Sequence, residues 1–409
     1  MLPTCFFMRL FFVFLQLYCL GLTHNKCFGE FPTVENLTIE EKVGQILMVF
    51  IVGEEANVES KQLIENAFIG NIIYYRWSNG LHNPQQIQTL SNNLQRLAKL
   101  RRSGIPLLIA VDQEGGRVNR LTDGFTLFPS QEVLARSENP DLVEACAFGI
   151  ATELKAVGIN MNLAPIVDVN SNPNRLIIGS RSFGSSPEVV AKLGGLALNC
   201  YRNTNVIATL KHFPGYGEAS VDPHLGLPTV NKSRSELDKT ELFPFKQLCP
   251  QADAIMTAHI LMPALDPNNC ATLSKAIVTN ILRTEWGYQG IIITDSLVME
   301  GILNACQSVE EAALRAFEAG HDILLFGGKQ LGQKDARDLT SQDFIRIHKY
   351  LVDSVKNGRI TEERLNSSVQ RILQLKINRG LFEERYPDQN DILQNVNTIE
   401  HQNLVKTFK

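Results

Sequence analysis

The sequence has no strong excess of either charge. Its 39 Lys and Arg residues nearly balance 43 Asp and Glu residues, and the formal net charge is −4. This balance gives no sign of a nucleic-acid partner or of a polybasic membrane-binding surface. The eight cysteines include no Cys-x-x-Cys pair, and there is no His-Glu-x-x-His motif. We therefore expect no metal site, no organic cofactor and no dense disulfide scaffold.

Long apolar runs are scarce, and the most conspicuous one is at the N-terminus. Residues 10–22 are largely apolar and directly follow the basic residue Arg9, which is preceded by Met8. A run of this length is typical of a signal-peptide core and short for a membrane span. We predict that residues 1–22 are a signal peptide or an uncleaved anchor, so that the protein is exported, periplasmic or secreted. It is cytoplasmic if the leader is not functional, and membrane contact is expected only through this leader.

No linker rich in Pro, Ser or Gly interrupts the rest of the chain. The polar C-terminal residues from about 388 onwards keep a helical pattern, and no second block of strands follows. We therefore predict one catalytic domain over residues 30–409, which includes the helical tail and acts as a monomer.

Short apolar runs recur along the chain, with helical segments between them. These runs are continuous rather than alternating, as is typical of parallel strands that are covered on both faces. We predict strands at residues 46–52, 71–75, 107–112, 160–169, 206–213, 254–260, 290–295 and 323–327. Eight strands alternating with helices favour the α/β class and a single (β/α)₈ TIM-type barrel. A doubly wound open sheet is the alternative, although no Gly-x-Gly-x-x-Gly follows the first strand.

Local signals also mark where several helices begin. Thr38 and Glu41 have the spacing of a capping box, and the pairs Asn83-Pro84 and Ser186-Pro187 place proline in the first turn of a helix. Gly320 is expected to end a helix that begins near Ser308.

Polar residues follow or end five of the predicted strands. They are Asp112, Asp168, the pair Lys211-His212, His259 and Asp295. In a parallel barrel these positions meet at one rim, where catalytic groups gather. The pattern therefore predicts a polar site above an apolar barrel.

Individually, these residues allow more than one interpretation. Asp295 ends a buried strand, where a carboxylate is costly unless it is functional or paired; it is a candidate nucleophile or a structural acid bound to Lys211 or an arginine. Asp112 can accept hydrogen bonds from two sugar hydroxyls or belong to a charged turn. Arg181 is a candidate ligand clamp or an ordinary ion-pair partner.

A loop leaves the fifth strand with the sequence Lys-His-Phe-Pro-Gly-Tyr-Gly, from Lys211 to Gly217, and then reaches Asp222-Pro223-His224. A carboxylate two residues from an imidazole can orient the ring and stabilise its protonated form. The spacing alone favours a surface loop that carries an incidental histidine.

Together these segments resemble glycoside hydrolase family 3, in its bacterial β-N-acetylglucosaminidase branch. The resemblance runs from Leu37 to about His401. The motif of the branch is Lys-His-Phe-Pro-Gly-His-Gly, then four residues, then Asp-[Ser/Thr]-His. This chain has Tyr216 in place of the second histidine and Pro223 in place of Ser or Thr.

The resemblance implies a role for each matching residue. Asp295 matches the nucleophile, His224 the general acid/base and Asp222 its dyad partner. The sugar-contacting positions are matched by Asp112, Arg120, Arg181, Lys211 and His212. The implied activity is retaining hydrolysis of terminal β-linked N-acetylglucosamine, from a small glycan such as a peptidoglycan-derived muropeptide.

Two other functions remain open at this point. A histidine acid/base carries no negative charge that would repel phosphate, so the same site can serve a phosphorylase. A non-catalytic glycan-binding protein is a third possibility, against which the presence of Asp295, Asp222 and His224 argues.

Overall fold

The structure is a computed structural model, which describes residues 31–171, 178–217, 219, 227–327, 337–383 and 385–408. The predicted leader, residues 1–22, lies outside these ranges. Within them, no helix is both long enough and apolar enough to cross a membrane.

Eight parallel strands form the centre of the fold. They are β1 Leu47–Val49, β2 Asn71–Ile73, β3 Leu108–Val111, β6 Met161–Asn162, β7 Ile207–Phe213, β8 Ala254–Thr257, β9 Ile291–Thr294 and β10 Leu324–Phe326, and a short hairpin of β4 Gln113–Gly115 and β5 Val118–Asn119 follows β3. All eight parallel strands are buried along their whole length. This burial explains why their sequences are continuous apolar runs.

The strand order closes the sheet into a barrel. Strands pair in the order β10-β1-β2-β3-β6-β7-β8-β9, and β10 lies beside β1 with Leu324 opposite Leu47. The remaining gap is crossed by a parallel bridge between Ile293 and Ile323, where the Thr294 amide donates to the Ile323 carbonyl at 3.1 Å. The predicted (β/α)₈ barrel is confirmed, and the open-sheet alternative is wrong.

Helices surround the barrel. The α-helices span Ile39–Gln45, Val58–Asn66, Arg76–Asn79, Pro84–Leu100, Gln131–Arg136, Pro140–Ala156, Pro187–Asn203, Arg234–Lys239, Leu242–Leu248, Glu300–Cys306, Val309–Ala319, Ser341–Lys356, Glu362–Asn378, Gln389–Asn395 and Ile399–Lys406. A π-helical segment covers Ala276–Glu285, and 3₁₀ turns cover Val34–Asn36, Gly179–Arg181, Cys249–Gln251 and Ala271–Leu273.

The predicted helix starts lie where the local signals indicated. Thr38 and Glu41 form a reciprocal capping box at the start of Ile39–Gln45. The Asn83 side chain caps Pro84–Leu100 by accepting from the Gln86 amide. These caps satisfy amide donors that have no partner within the helix.

The fourth barrel strand is shorter than the predicted 160–169. Only Met161–Asn162 keeps the strand ladder, although Ile166 later forms a bridge with Lys211. Pro165 lies between Asn162 and Ile166 in the sequence and has no amide hydrogen to donate, so it interrupts the hydrogen-bond ladder. The chain after it runs towards Asp168 at the rim.

The C-terminal tail packs on the outside of the barrel. His401 Nδ1 lies 2.9 Å from Oε1 of the buried Glu153, and the Gln88 side chain donates to the Asp388 carbonyl at 2.8 Å. The tail therefore fixes two outer helices, Pro84–Leu100 and Pro140–Ala156, against each other.

Candidate active site

The parallel strands bring the predicted polar residues to one end of the barrel. Asp112 follows β3, Lys211 and His212 lie near the end of β7, and Asp295 follows β9. Because the carboxyl ends of parallel strands share one rim, residues far apart in the sequence become neighbours here.

A buried lysine lies at the centre of this rim. Lys211 Nζ is 2.8 Å from Asp112 Oδ1 and 2.7 Å from Glu114 Oε1, and its side chain is only 2% exposed. An ammonium has three donors, so two are used by these carboxylates. Lys211 is thus bound by Asp112 and Glu114, and these two carboxylates leave one of its three donors for another acceptor.

Glu114 also binds Arg181 through two hydrogen bonds. Arg181 Nε and Nη2 donate to its two carboxylate oxygens at 2.8 and 2.7 Å. Burial alone would raise the pKa of Glu114, but Lys211 and Arg181 outweigh burial and lower that pKa to about 2. Burial opposes the charge of Arg181 in the same way, yet Glu114 raises the pKa of this guanidinium. Glu114 and Arg181 thus form a buried ion pair, with the Lys211 ammonium group beside it.

His212 is held in one orientation by Asp168. Its Nδ1 is 2.8 Å from Asp168 Oδ2, which also accepts from the His212 amide at 3.2 Å. The other oxygen of Asp168 accepts from the Tyr216 amide at 2.7 Å. Its Nε2 lies 3.4 Å from Arg181 Nη2, so the ring has a carboxylate beside one nitrogen and a guanidinium beside the other.

Arg120 approaches Asp112 from the loop after β5. Its Nη2 is 3.7 Å from Asp112 Oδ2, and its guanidinium carbon lies 5.9 Å from the centre of the Tyr75 ring. Among the described residues, Arg120 Nε is a buried donor without a hydrogen-bond partner. Buried donors are rarely left without an acceptor, so this group is suited to a ligand oxygen.

The backbone around Asp295 is fixed by strand and side-chain hydrogen bonds. The Asp295 amide donates to the Thr257 carbonyl at 3.0 Å, and Asp295 Oδ1 accepts from the Ser296 amide at 2.7 Å. The Ser296 carbonyl lies 2.8 Å from Nε2 of the fully buried His259. His259, also noted as a strand-end residue, therefore supports the segment that carries Asp295.

Two buried tyrosines are electrostatically coupled to Asp295. Burial raises the pKa of the Tyr75 phenol well above its usual value, and Asp112 and Asp295 raise it further. Burial also raises the pKa of Tyr216, with added contributions from Asp295 and Asp168. Asp295 thus acts on the same two phenols as Asp112 and Asp168 do, each of which raises the pKa of one of them.

The loop that carries the predicted dyad is described only in part. Gly217 packs so closely that an added Cβ would lie 1.8 Å from the Val169 carbonyl oxygen, so only glycine fits there. Asp222 and His224 lie outside the described residues, and their roles stay predictions.

The structure therefore brings six of the eight predicted site residues to one rim: Asp112, Arg120, Arg181, Lys211, His212 and Asp295. Glu114, the shared partner of two cations, was missed by sequence reasoning. Its charge next to Asp112 was visible, but its partners are distant in the sequence. Over the described ranges, no group of three or more His, Cys, Asp or Glu side chains could hold a metal ion.

Comparison with known proteins adds information on the family. Residues 38–375 match the N-terminal domain of glycosyl hydrolase family 3. A protein of Pseudoalteromonas piscicida named beta-hexosaminidase A is 37% identical over 335 residues, which cover 78% of this chain and 55% of that protein. The chain thus spans about half the length of this relative.

Two solved structures are also similar. A glycoside hydrolase family 3 beta-N-acetylglucosaminidase from Paenibacillus is 38% identical, with a TM-score of 0.83 over 91% of this chain and 68% of that one. A structure described as beta-glucoside phosphorylase BglX is 26% identical, with a TM-score of 0.79 over 92% of this chain and 65% of that one.

Proposed function

This chain belongs to glycoside hydrolase family 3, and we propose that it is a retaining β-N-acetylglucosaminidase. Its proposed substrate is a small glycan with a terminal, non-reducing, β-linked N-acetylglucosamine, such as a peptidoglycan-derived muropeptide. The observation that carries this proposal is the buried charge cluster around Lys211 on the same rim as Asp295. The names of the similar beta-hexosaminidase and beta-N-acetylglucosaminidase support the choice of sugar.

The charge cluster suits recognition of a sugar ring. Lys211, Arg120 and His212 present donors or an acceptor at the rim, while Asp112 offers carboxylate oxygens, and several precisely placed polar groups are what orients a ligand in a pocket. Arg181 holds Glu114 and approaches His212, so it contributes to the same cluster. We expect sugar hydroxyls and the N-acetyl group to bind here.

The proposed reaction has two displacements. First, a carboxylate oxygen of Asp295 attacks the anomeric carbon, the glycosidic C–O bond breaks, and His224 gives a proton to the leaving oxygen. Then His224 removes a proton from water, the water oxygen attacks the anomeric carbon, and Asp295 is released. Asp222 orients the imidazole and stabilises its charged form.

The role of His224 predicts a dependence on the leaving group. His224→Ala is expected to lose about 10²–10⁴-fold in kcat/KM on a disaccharide, whose leaving oxygen needs a proton. The loss on a nitrophenyl glycoside should be much smaller, because nitrophenolate departs unaided. Asp222→Ala should show the same pattern more weakly. Equal losses on both substrates, with an unchanged pH profile, would mean that His224 only binds sugar or supports the loop.

Phosphorolysis is the second candidate, favoured by the similarity to the solved beta-glucoside phosphorylase. The two activities differ in the acceptor of the second step, which is water in one and inorganic phosphate in the other. We expect free N-acetylglucosamine to be the product, at an unchanged rate, when phosphate is added. Formation of the sugar 1-phosphate instead would show that the enzyme is a phosphorylase and not a hydrolase.

We also propose that the leader directs the protein out of the cytoplasm and that the protein acts as a monomer. The basic and apolar pattern of residues 1–22 motivates the first part. Sequencing of the mature N-terminus tests it together with membrane fractionation. Loss of the leader would support a cleaved signal peptide, a retained leader in the membrane fraction would support an anchor, and a retained leader in the soluble cytoplasmic fraction would contradict export.

A further inference from the structure

Trp77 lies one aromatic ring away from the charge cluster. It belongs to the short helix Arg76–Asn79, which follows β2 at the rim, and 38% of the residue is exposed. Its ring is stacked beside that of Tyr75, at 5.9 Å between centroids and 22° between planes. A partly exposed indole therefore lies beside the proposed sugar site.

The indole of Trp77 is held in place by a neighbouring aromatic ring. Phe50 meets it edge to face at 4.9 Å, and Phe50 in turn packs on Phe344 at 5.3 Å. These rings pack around the loop after β1, so the indole has little freedom to turn. A rigid aromatic surface costs little conformational entropy when a ligand binds.

The backbone beneath Trp77 is fixed as well. Asn79 is fully buried and accepts from the Tyr75 amide at 3.1 Å, and it donates to the carbonyls of Ile51 at 3.1 Å and Gly53 at 3.2 Å. The Trp77 helix is thereby joined to the loop after β1.

Tyr75 connects Trp77 to the reacting groups. Arg120 lies 5.9 Å from the Tyr75 ring, and Asp112 and Asp295 both influence its phenol. A sugar bound to Asp112 and attacked by Asp295 would therefore have Tyr75 at its edge. Trp77 packs against Tyr75 and is partly exposed, so it lies outside the group of reacting residues, where the rest of a substrate can extend.

We propose that Trp77 is the binding platform for the leaving group, and that this group is a second pyranose ring. The inference rests on the proposed function, because it assigns the half of the substrate beyond the scissile bond. The apolar C–H face of a pyranose stacks on an indole, while its hydroxyls remain available to Arg120 and to water. A methyl leaving group is too small to reach the indole.

Kinetics on two substrates test the platform. Trp77→Ala is expected to lower kcat/KM for the β-1,4-linked disaccharide of N-acetylglucosamine about tenfold, mainly through KM, as loss of an aromatic stacking surface does elsewhere. Activity on methyl β-N-acetylglucosaminide should change less than about twofold. Trp77→Phe keeps a ring and should recover part of the loss. The matched control is Phe148→Ala, which removes an exposed aromatic from the outer helix Pro140–Ala156.

Equal losses of Trp77→Ala on both substrates would show that Trp77 only supports the fold, and no loss on either would show that it does not bind the leaving group. Either result would overturn the platform. If the wild-type enzyme hydrolyses both substrates, the proposed function stands whichever of these results is obtained for Trp77→Ala.

Fluorescence tests the same inference without turnover. The chain has two tryptophans, so Trp286→Phe leaves Trp77 as the sole indole reporter. A sulfur-linked disaccharide of N-acetylglucosamine, which resists hydrolysis, should change the emission of Trp77, whereas free N-acetylglucosamine should not. Identical responses to both sugars, or no response to the disaccharide, would contradict the platform. The fluorescence measurement does not depend on hydrolysis. If the wild type hydrolyses neither substrate but the disaccharide still changes the emission of Trp77, the proposed function fails and the binding platform stands.

Discussion

Asp295→Ala is expected to reduce kcat on the order of 10⁴–10⁶-fold, the range found when one essential member of a hydrolase's catalytic set is removed. The reason is that no other group is assigned to form the covalent glycosyl-enzyme. Because Asp295 is only half-buried and follows β9, the variant should remain folded. Its thermal melting temperature should lie close to that of the wild type.

Azide makes this prediction more specific. With a nitrophenyl glycoside as substrate, azide can enter the space vacated by the carboxylate and attack the anomeric carbon, so the expected product is the α-glycosyl azide. Asp353→Ala on the outer helix Ser341–Lys356 is the control and should keep full activity. Retention of more than about a tenth of wild-type activity by Asp295→Ala would remove Asp295 from the nucleophile's role.

Glu114→Ala is expected to lower the free energy of unfolding by about 3–5 kcal/mol, because it leaves two buried cations without their shared carboxylate. Lys211 Nζ and Arg181 Nη2 are each 2.7 Å from Glu114 Oε1. Glu114→Gln keeps an acceptor and should cost less. Urea unfolding measures both variants, with Glu55→Ala, a change at an exposed position, as the control. A loss below about 1 kcal/mol would mean that water or Asp112 compensates.

The stability difference between the wild type and Glu114→Gln is expected to depend on pH. The pKa of Glu114 is lowered from 4.5 to about 2 in the folded protein, since Lys211 and Arg181 outweigh burial. A carboxyl whose folded pKa is depressed contributes stability that is complete above pH 4.5 and is lost as the pH falls towards 2. The stability difference between wild type and Glu114→Gln should therefore shrink over this window. A difference that stays constant would contradict the charged cluster.

Local sequence signals predicted much of the fold because they act over short distances. The Thr38–Glu41 capping box and the Asn83-Pro84 start each depend on residues within one helical turn. Continuous apolar runs marked the barrel strands since both faces of each strand are covered. The fourth strand was predicted too long because the effect of Pro165 on the ladder was overlooked.

The site was predictable in its members but less so in its pairings. Asp112, Lys211 and Asp295 were found because each lies near the carboxyl end of a strand or directly after it. Glu114 was missed because its partner Arg181 is 67 positions away, and no local pattern shows that the chain brings them together. The hydrogen bond between Asp168 and His212 spans 44 positions and was missed for the same reason.

Covalent trapping is the most direct test of the account's central claim, that Asp295 is the nucleophile of a retaining glycosidase. A 5-fluoro derivative of N-acetylglucosaminyl fluoride keeps the 2-acetamido group and carries an electron-withdrawing fluorine next to the ring oxygen, which slows both displacements. Its good leaving group lets the first displacement proceed, so the glycosyl-enzyme accumulates. We expect one sugar per chain in the intact mass spectrum and peptide mapping that places it on Asp295, with no labelling of Asp295→Ala. Labelling of another carboxylate, such as Asp112, or continued turnover without any label would contradict the account.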